Sequence, residues 1–324
     1  MFPPMRWPDD ASDYHLRPMN CPHHHMVFSA LPRSYRNLPL RIAEYGQVYR
    51  YENSGCLHGL SRVRGLCQND AHIYVDPAHA EAEIGKVLDL HEEAYRALGL
   101  QEYRYRLSKH DPAKPENFEG PKKLWLQCED ILRRALIDRN LPFFEAADEA
   151  AFYGPKIDVQ MRLGEKEESI ASVQLDFLSA ERFELSYVAS SGEKARPWVI
   201  HRAPLGSHER FVAMLLEYYD GQLPGWLCPV QVYVLPVSEA QLAEAKAIVD
   251  ALIYAGIRAR LDESAGSLSK RVLFAHRYRP FSKLVIGPKE IASGALKLQL
   301  RSEQLDVWRV NLVDELKKVL ASPG

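Results

Sequence analysis

The feature that most limits the fold is a turn-rich junction, Leu223-Pro-Gly-Trp-Leu-Cys-Pro229, which separates two stretches of different hydrophobic rhythm. It places a domain boundary near Trp226, giving domains 1–226 and 227–324. Before it, residues 40–51 and 62–74 are rich in β-branched and aromatic side chains. They flank a polar, Gly-containing segment, Glu52-Asn-Ser-Gly-Cys-Leu-His-Gly-Leu-Ser61. This predicts two antiparallel strands joined by a long loop. Residues 77–98 and 124–140 have helical patterning, residues 157–163, 169–177 and 197–203 strand patterning. Residues 206–219 predict a helix with Ser207 as N-cap. Beyond the junction, strands at 230–237, 257–261, 283–286 and 295–301 alternate with helices at 240–255 and 267–276, and a helix at 313–320 closes the chain. That alternation predicts a small α/β domain with a largely parallel sheet.

At 324 residues the chain is long enough for two cores. A net charge of −2 argues against indiscriminate coating of nucleic acid, so any RNA contact must use local basic patches. No apolar run reaches the roughly 18 residues of a membrane span. Residues 1–8 have no apolar core of signal-peptide length. Five cysteines, an odd number, argue against a disulfide framework and fit a reducing cytoplasm.

Three stretches carry chemistry: Arg17-Pro-Met-Asn-Cys21-Pro-His-His-His25, Arg62-Val-Arg-Gly-Leu-Cys-Gln-Asn-Asp-Ala-His72, and Ile200-His201-Arg-Ala-Pro-Leu-Gly-Ser207-His-Glu-Arg210. Each contains a residue able to bind zinc: Cys21, His72 and His201. A thiolate and two imidazoles suit Zn²⁺, and three protein ligands leave a position open. No CxxC or HExxH spacing forces a metal, and a packed Cys or His is the ordinary alternative. His23, His24 and His25 are consecutive and point in different directions, which reads as a helix start and not as a ligand set.

Together these strings resemble threonyl-tRNA synthetase, a class II aminoacyl-tRNA synthetase, from about Tyr14 to the C-terminus. The resemblance implies an α+β catalytic domain, built on an antiparallel sheet with flanking helices, and then a small α/β anticodon-binding-like domain. It implies that Zn²⁺ on Cys21, His72 and His201 binds the amino and hydroxyl groups of threonine. Tyr49-Arg50-Tyr51-Glu52, the polar loop and Arg62 resemble motif 2. By that resemblance Arg50 holds the α-phosphate of ATP and the threonine carboxylate, Glu52 accepts from the adenine amino group, and Arg62 reaches the terminal phosphates. Gly206-Ser-His-Glu-Arg210 resembles motif 3, with Arg210 stacked over adenine; Arg50 and Arg210 are the implied catalytic pair. Met19, Gln68, Asp70, Tyr153 and Ser207 complete the implied amino-acid pocket. Lys156, in Ala151-Phe-Tyr-Gly-Pro-Lys156, and Gln174, in Val173-Gln-Leu-Asp-Phe177, are implied nucleotide contacts. ATP with Mg²⁺, threonine and tRNA(Thr) are the implied partners.

The chain also departs from this family pattern. Residues before Tyr14 have no room for an editing domain or for motif 1, which forms the class II dimer interface. A homodimer is therefore expected to be weakened. The family's proton-transfer histidine has no clear match in residues 1–13, with His15 the outside candidate. Basic and amide residues expected after the second strand of the last domain are replaced by Glu263-Ser-Ala-Gly-Ser267, and an expected arginine by Gln299. The expectation is threonine activation followed by transfer to tRNA(Thr), or, in a paralogue, activation or binding of threonine without charging of tRNA.

Overall fold

The computed structural model describes residues 1–322. It divides into two compact units, one from Met1 to Met214 and one from Leu215 onward.

The first unit is built on a seven-stranded sheet. Helix α1 (Cys21–Ser29) comes first, then β1 (Leu40–Tyr49) and β2 (Gly65–Val75). These pair antiparallel along their length, from Leu40 opposite Tyr74 to Tyr49 opposite Gly65. The polar segment between them is an irregular loop with one 3₁₀ turn at Ser54–Cys56. Helix α2 (Ala80–Ala97) leads to β3 (Tyr103–Ser108), and α3 (Lys122–Ile137) to the short β4 (Phe143–Ala146). The hairpin β5 (Lys156–Leu163) and β6 (Lys166–Asp176) follows, then α4 (Ser179–Arg182), a small ribbon of β7 (Tyr187–Val188) and β8 (Lys194–Ala195), and β9 (Trp198–Ala203). Helix α5 (His208–Tyr218) follows β9 and contains the division between the units.

Sheet order is β1-β2-β9-β6-β5-β3-β4, and only β3 and β4 run parallel. The last two strands were not expected from the sequence. One sheet face is apolar: Val173, Leu175, Ile157, Val159 and Ile200 are all buried. Helices α2 and α3 pack on this sheet, α2 on β9 and α3 on β3 and β5. Their buried residues recur at helical spacing, Ile84, Leu88, His91, Tyr95 in α2 and Trp125, Cys128, Leu132, Leu136 in α3.

The other face carries polar residues. Because side chains alternate along a strand, Gln68, Asp70, His72 and Tyr74 share one face of β2. Registers place Gly46 opposite Gln68, Glu44 opposite Asp70, His201 opposite His72, Gln174 opposite His201 and Lys156 opposite Gln174. Helix α1 is anchored at one end of this face, where Phe28 stacks on Tyr74 with ring centroids 4.3 Å apart. Burial of Phe28, fully inaccessible, contributes roughly 2 kcal/mol.

In the second unit, β10 (Val232–Pro236), α6 (Leu242–Tyr254), β11 (Ala259–Leu261), α7 (Leu268–His276) and β12 (Ser282–Ile286) alternate as expected. Then α8 (Pro288–Ser293), β13 (Ala295–Leu300), β14 (Gln304–Trp308) and α9 (Leu312–Val319) complete it. The sheet, ordered β11-β10-β12-β13-β14, is mixed, which corrects the largely parallel expectation. Strand β10 runs parallel to β11 and β12, but β12/β13 and β13/β14 are antiparallel. The reason is the length of the connections. Residues 287–294 are too few for the crossover of about a dozen residues that a parallel return needs, and 301–303 make only a hairpin turn. No helix among the described residues is long and apolar enough to cross a membrane.

Candidate active site

Helix α1 begins at Cys21, with Asn20 as its N-cap residue and Pro22 in its first turn, where a missing N–H costs nothing. The helix carries Cys21 and His24 onto the polar face. There Cys21, His72 and His201 converge, with one ligand atom from each lying within 4.8 Å of the others. Cys21 Sγ is 3.6 Å from His201 Nδ1. Zinc–sulfur and zinc–nitrogen bonds at a tetrahedral angle span about 3.5 Å, so this edge fits a shared metal ion. His72 is fully buried, and its Nε2 has no hydrogen-bond partner. An unpaired imidazole nitrogen in the interior is costly unless a cation takes it. The donor set therefore fits zinc.

The remaining ring nitrogens of His72, His201 and His24 are engaged. His201 Nε2 lies 2.9 Å from Asp176 Oδ2, and Asp176 is fully buried. Burial by itself would push the His201 imidazole down, but Asp176 and Cys21 outweigh it and raise it to about 10. That proton is the one a metal ion must displace. Burial holds His72 well below its usual value, and the neighbouring histidines push the same way. His24 Nδ1 is 2.7 Å from His72 Nδ1, and its Nε2 is 3.1 Å from Glu44 Oε1. His25 faces elsewhere, with Nδ1 2.9 Å from Tyr74 OH, and burial lowers it to about 4. Among the described residues, neither His24 nor His25 joins the ligand group.

Asp70 is the next residue of this face along β2, about 7 Å from His72. Asn20 Nδ2 donates to its Oδ2 at 2.9 Å. Tyr153 packs its ring 5.8 Å from that of His201, and burial raises its hydroxyl above the usual phenol range. Met19 is exposed at the entry to α1.

Further along β2, Gln68 reaches a cavity of about 450 Å³, lined also by Arg50, Glu52, Arg62, Asp158, Ser207 and Arg210. This is within the size range of small-molecule sites. Ser207 caps α5, with Arg210 N donating to its Oγ at 3.3 Å. Glu209 accepts from Cys67 N at 3.0 Å, fixing the start of α5 to β2. Arg62 pairs with Glu52 at 2.8 Å, and Arg210 with Glu168 at 3.5 Å. Lys156 Nζ is held 2.6 Å from Asp158 Oδ2, and Gln174 Nε2 donates to Gly154 O at 3.4 Å. Lys156 and Gln174 thus share the face without lining the cavity itself. Asn20, Glu44, His24, Asp158 and Asp176 carry interactions here that sequence reasoning missed. Asn20 and Asp176 lie inside the quoted motifs; Glu44 gives no local signal.

A larger cavity, about 680 Å³, lies in the second unit among His276, Arg279, Lys283, Gln299 and Arg301. Its cations are largely engaged: Arg279 donates to Asp220 O at 2.6 Å, Arg301 to Leu223 O at 2.7 Å, and Lys283 lies 3.0 Å from His276. Gln299 spends its amide on Leu300 O and Glu303 O. This cavity holds one carboxylate, Asp220, and one histidine, His276, and among the described residues no three-ligand group like that of the first unit.

A seven-stranded, mainly antiparallel sheet with an arginine-lined cavity and a Cys/His/His group beside it is the core of a class II aminoacyl-tRNA synthetase, and the chain belongs to that family. The model described as the tRNA synthetase class II core domain (G, H, P, S and T) matches residues 6–219, and one described as an anticodon binding domain matches residues 231–321. Among its relatives are proteins named threonine--tRNA ligase. The chain is 43% identical to threonine--tRNA ligase of Chlorobium chlorochromatii (strain CaD3), over 99% of this chain and 50% of the relative. It is 46% identical to that of Geobacillus sp. (strain WCH70), over 94% and 47%. The chain therefore spans about half the length of the curated relatives it matches. The solved RNA binding domain of threonyl-tRNA synthetase from Cryptosporidium parvum Iowa II superposes with a TM-score of 0.83 at 34% identity, covering 95% of this chain and 77% of that one.

Proposed function

We propose that this chain activates threonine with ATP, releasing pyrophosphate, and passes threonine from the adenylate to tRNA(Thr). The observation that carries the reading is one strand. Gln68, Asp70 and His72 occupy successive same-face positions of β2, so the arginine-lined cavity and the Cys21/His72/His201 group lie side by side.

Zinc held by Cys21, His72 and His201 would supply a Lewis-acidic position for the amino and hydroxyl groups of threonine. Asp70, held by Asn20, accepts from those same groups. Gln68, Tyr153, Met19 and Ser207 close around the side chain and the carboxylate. Attack of the carboxylate on the α-phosphate builds negative charge, and the planar guanidinium of Arg50 offsets it with paired hydrogen bonds. Arg210 lies over adenine and neutralises phosphate charge. Glu52 accepts from the adenine amino group and Arg62 takes the terminal phosphates with Mg²⁺. ATP must therefore part the Arg62–Glu52 pair. Arg62 is exposed and Glu52 partly so, so the cost is modest. Lys156 and Gln174 assist from the same face.

The domain division in this reading is a catalytic domain over 1–226 and an anticodon-binding-like domain over 227–324. Threonine-dependent exchange of labelled pyrophosphate into ATP tests activation. Acid-stable attachment of labelled threonine to tRNA tests transfer. Exchange without attachment would restrict the chain to activation, and neither would refute the assignment.

A further inference from the structure

The polar face contains a hydrogen-bonded chain with no assigned role. Arg17 reaches Glu44 at 3.4 Å, Glu44 Oε1 meets His24 Nε2 at 3.1 Å, and His24 Nδ1 meets His72 Nδ1 at 2.7 Å. His24 is 4% exposed and His72 is inaccessible, so water does not substitute for these contacts. Glu44, as a carboxylate, only accepts. The hydrogen on His24 is then on Nε2, its Nδ1 offers a lone pair, and His72 must donate from Nδ1. That leaves His72 Nε2 bare, and it is buried without a hydrogen-bond partner.

We propose that Glu44 and His24 are positioning residues: their hydrogen bonds fix the tautomer and the ring orientation of His72 so that its Nε2 is presented to zinc. This inference rests on the zinc reading above. Asp176 does the equivalent for His201, leaving Nδ1 toward Cys21. The two arms differ in reach. Asp176 touches its ligand directly, whereas Glu44 acts through a second imidazole supplied by α1. The helix that carries Cys21 therefore also orients the ligand on β2. Outer partners of ligating histidines set ligand basicity and orientation, and losing one lowers metal affinity 10- to 100-fold.

The test uses the full-length chain at one fixed pH. Zn²⁺ affinity is measured by competition with a chromophoric chelator, and ligand geometry from the visible absorption of the Co²⁺-substituted protein. His24→Phe keeps the ring volume and removes both contacts; it should weaken zinc 10- to 100-fold and shift the Co²⁺ bands. His24→Gln, which can accept and donate along the same line, should recover most of that loss. Glu44→Leu, at a partly exposed position, is tolerated by the fold and should weaken zinc several-fold. Phe28→Leu loosens α1 with the relay intact and should stay within threefold of the parent. Equal zinc affinity and unchanged Co²⁺ bands in both His24→Phe and Glu44→Leu overturn the relay alone. So does a loss in Phe28→Leu as large as that in His24→Phe, which would point to packing. A parent chain that binds no zinc overturns the metal reading and the relay together.

Discussion

A methyl group at Gly46 tests the geometry of the amino-acid pocket. A Cβ at that position would lie 2.3 Å from Asn20 Nδ2, 2.4 Å from its Oδ1 and 2.5 Å from its Cγ. Asn20 is fully buried and donates to Asp70 at 2.9 Å. In Gly46→Ala the amide must move by about an ångström, which breaks that bond. Overpacking in a closed interior costs about 1–3 kcal/mol. Loss of a hydrogen bond to a carboxylate costs about 1.5–3 kcal/mol. Together Gly46→Ala should lose about 3–5 kcal/mol, read from the midpoint of urea unfolding, and the threonine KM should rise because Asp70 is no longer held. The double variant with Asn20→Ala isolates the cause. With the amide gone the methyl has room, so Gly46→Ala should cost under about 1 kcal/mol on that background, a coupling of about 2 kcal/mol or more. A single variant within about 0.5 kcal/mol of the parent, or additive single changes, would refute the reasoning.

Further predictions concern the charges and the metal. Arg50→Ala and Arg210→Ala should each lower pyrophosphate exchange by about 2–4 kcal/mol of transition-state stabilisation with unchanged circular dichroism; Lys156→Ala, at a position outside the cavity lining, should lose less. Zinc affinity should fall with falling pH, by at least about tenfold per unit, because His201 holds a proton up to about 10 that zinc must displace and Cys21 must bind as the thiolate; chelator competition across pH 6.5–8.5 checks the slope. In the second unit Arg271 Nε meets Asp262 Oδ2 at 2.9 Å with both side chains nearly inaccessible, so Asp262→Ala should cost about 3 kcal/mol in thermal unfolding. Burial opposes ionisation of Asp262, but Ser264 and Arg271 outweigh it and lower its pKa. Its contribution is therefore present above the ordinary aspartate range near pH 4 and lost as pH falls below it.

The proposed site residues could be picked out because they lie in short strings whose spacing survives without knowledge of the fold. Gln68, Asp70 and His72 alternate along one strand, and Ser207 announces the start of α5. What pairs across strands was not legible. Glu44 lies in β1 among residues of ordinary strand composition, and only the β1/β2 register places it beside Asp70 and within reach of His24. Asp176 sits within a quoted string, yet its partner His201 is distant in sequence and meets it only across the β6/β9 pairing. Strand β3, Tyr-Arg-Tyr-Arg-Leu-Ser, carries two arginines that look solvated, although Arg106 is tied to buried Asp158. Strand β4 is four residues long and, among the described residues, pairs only with β3, so tertiary context outweighs local propensity there. In the second unit, strand and helix alternation was read correctly up to β12. The reversal after it depended on a connection too short for a crossover.

Amino-acid-dependent ATP–pyrophosphate exchange, run in parallel with threonine, serine and valine, tests the central claim most directly. Valine lacks the hydroxyl that Asp70 and zinc would hold in the proposed pocket, whereas serine lacks only a methyl, worth about 1–3 kcal/mol. The account predicts strong exchange with threonine, measurable exchange with serine and none above background with valine. Exchange with valine equal to that with threonine, or no threonine-dependent exchange in the zinc-loaded chain, would contradict it.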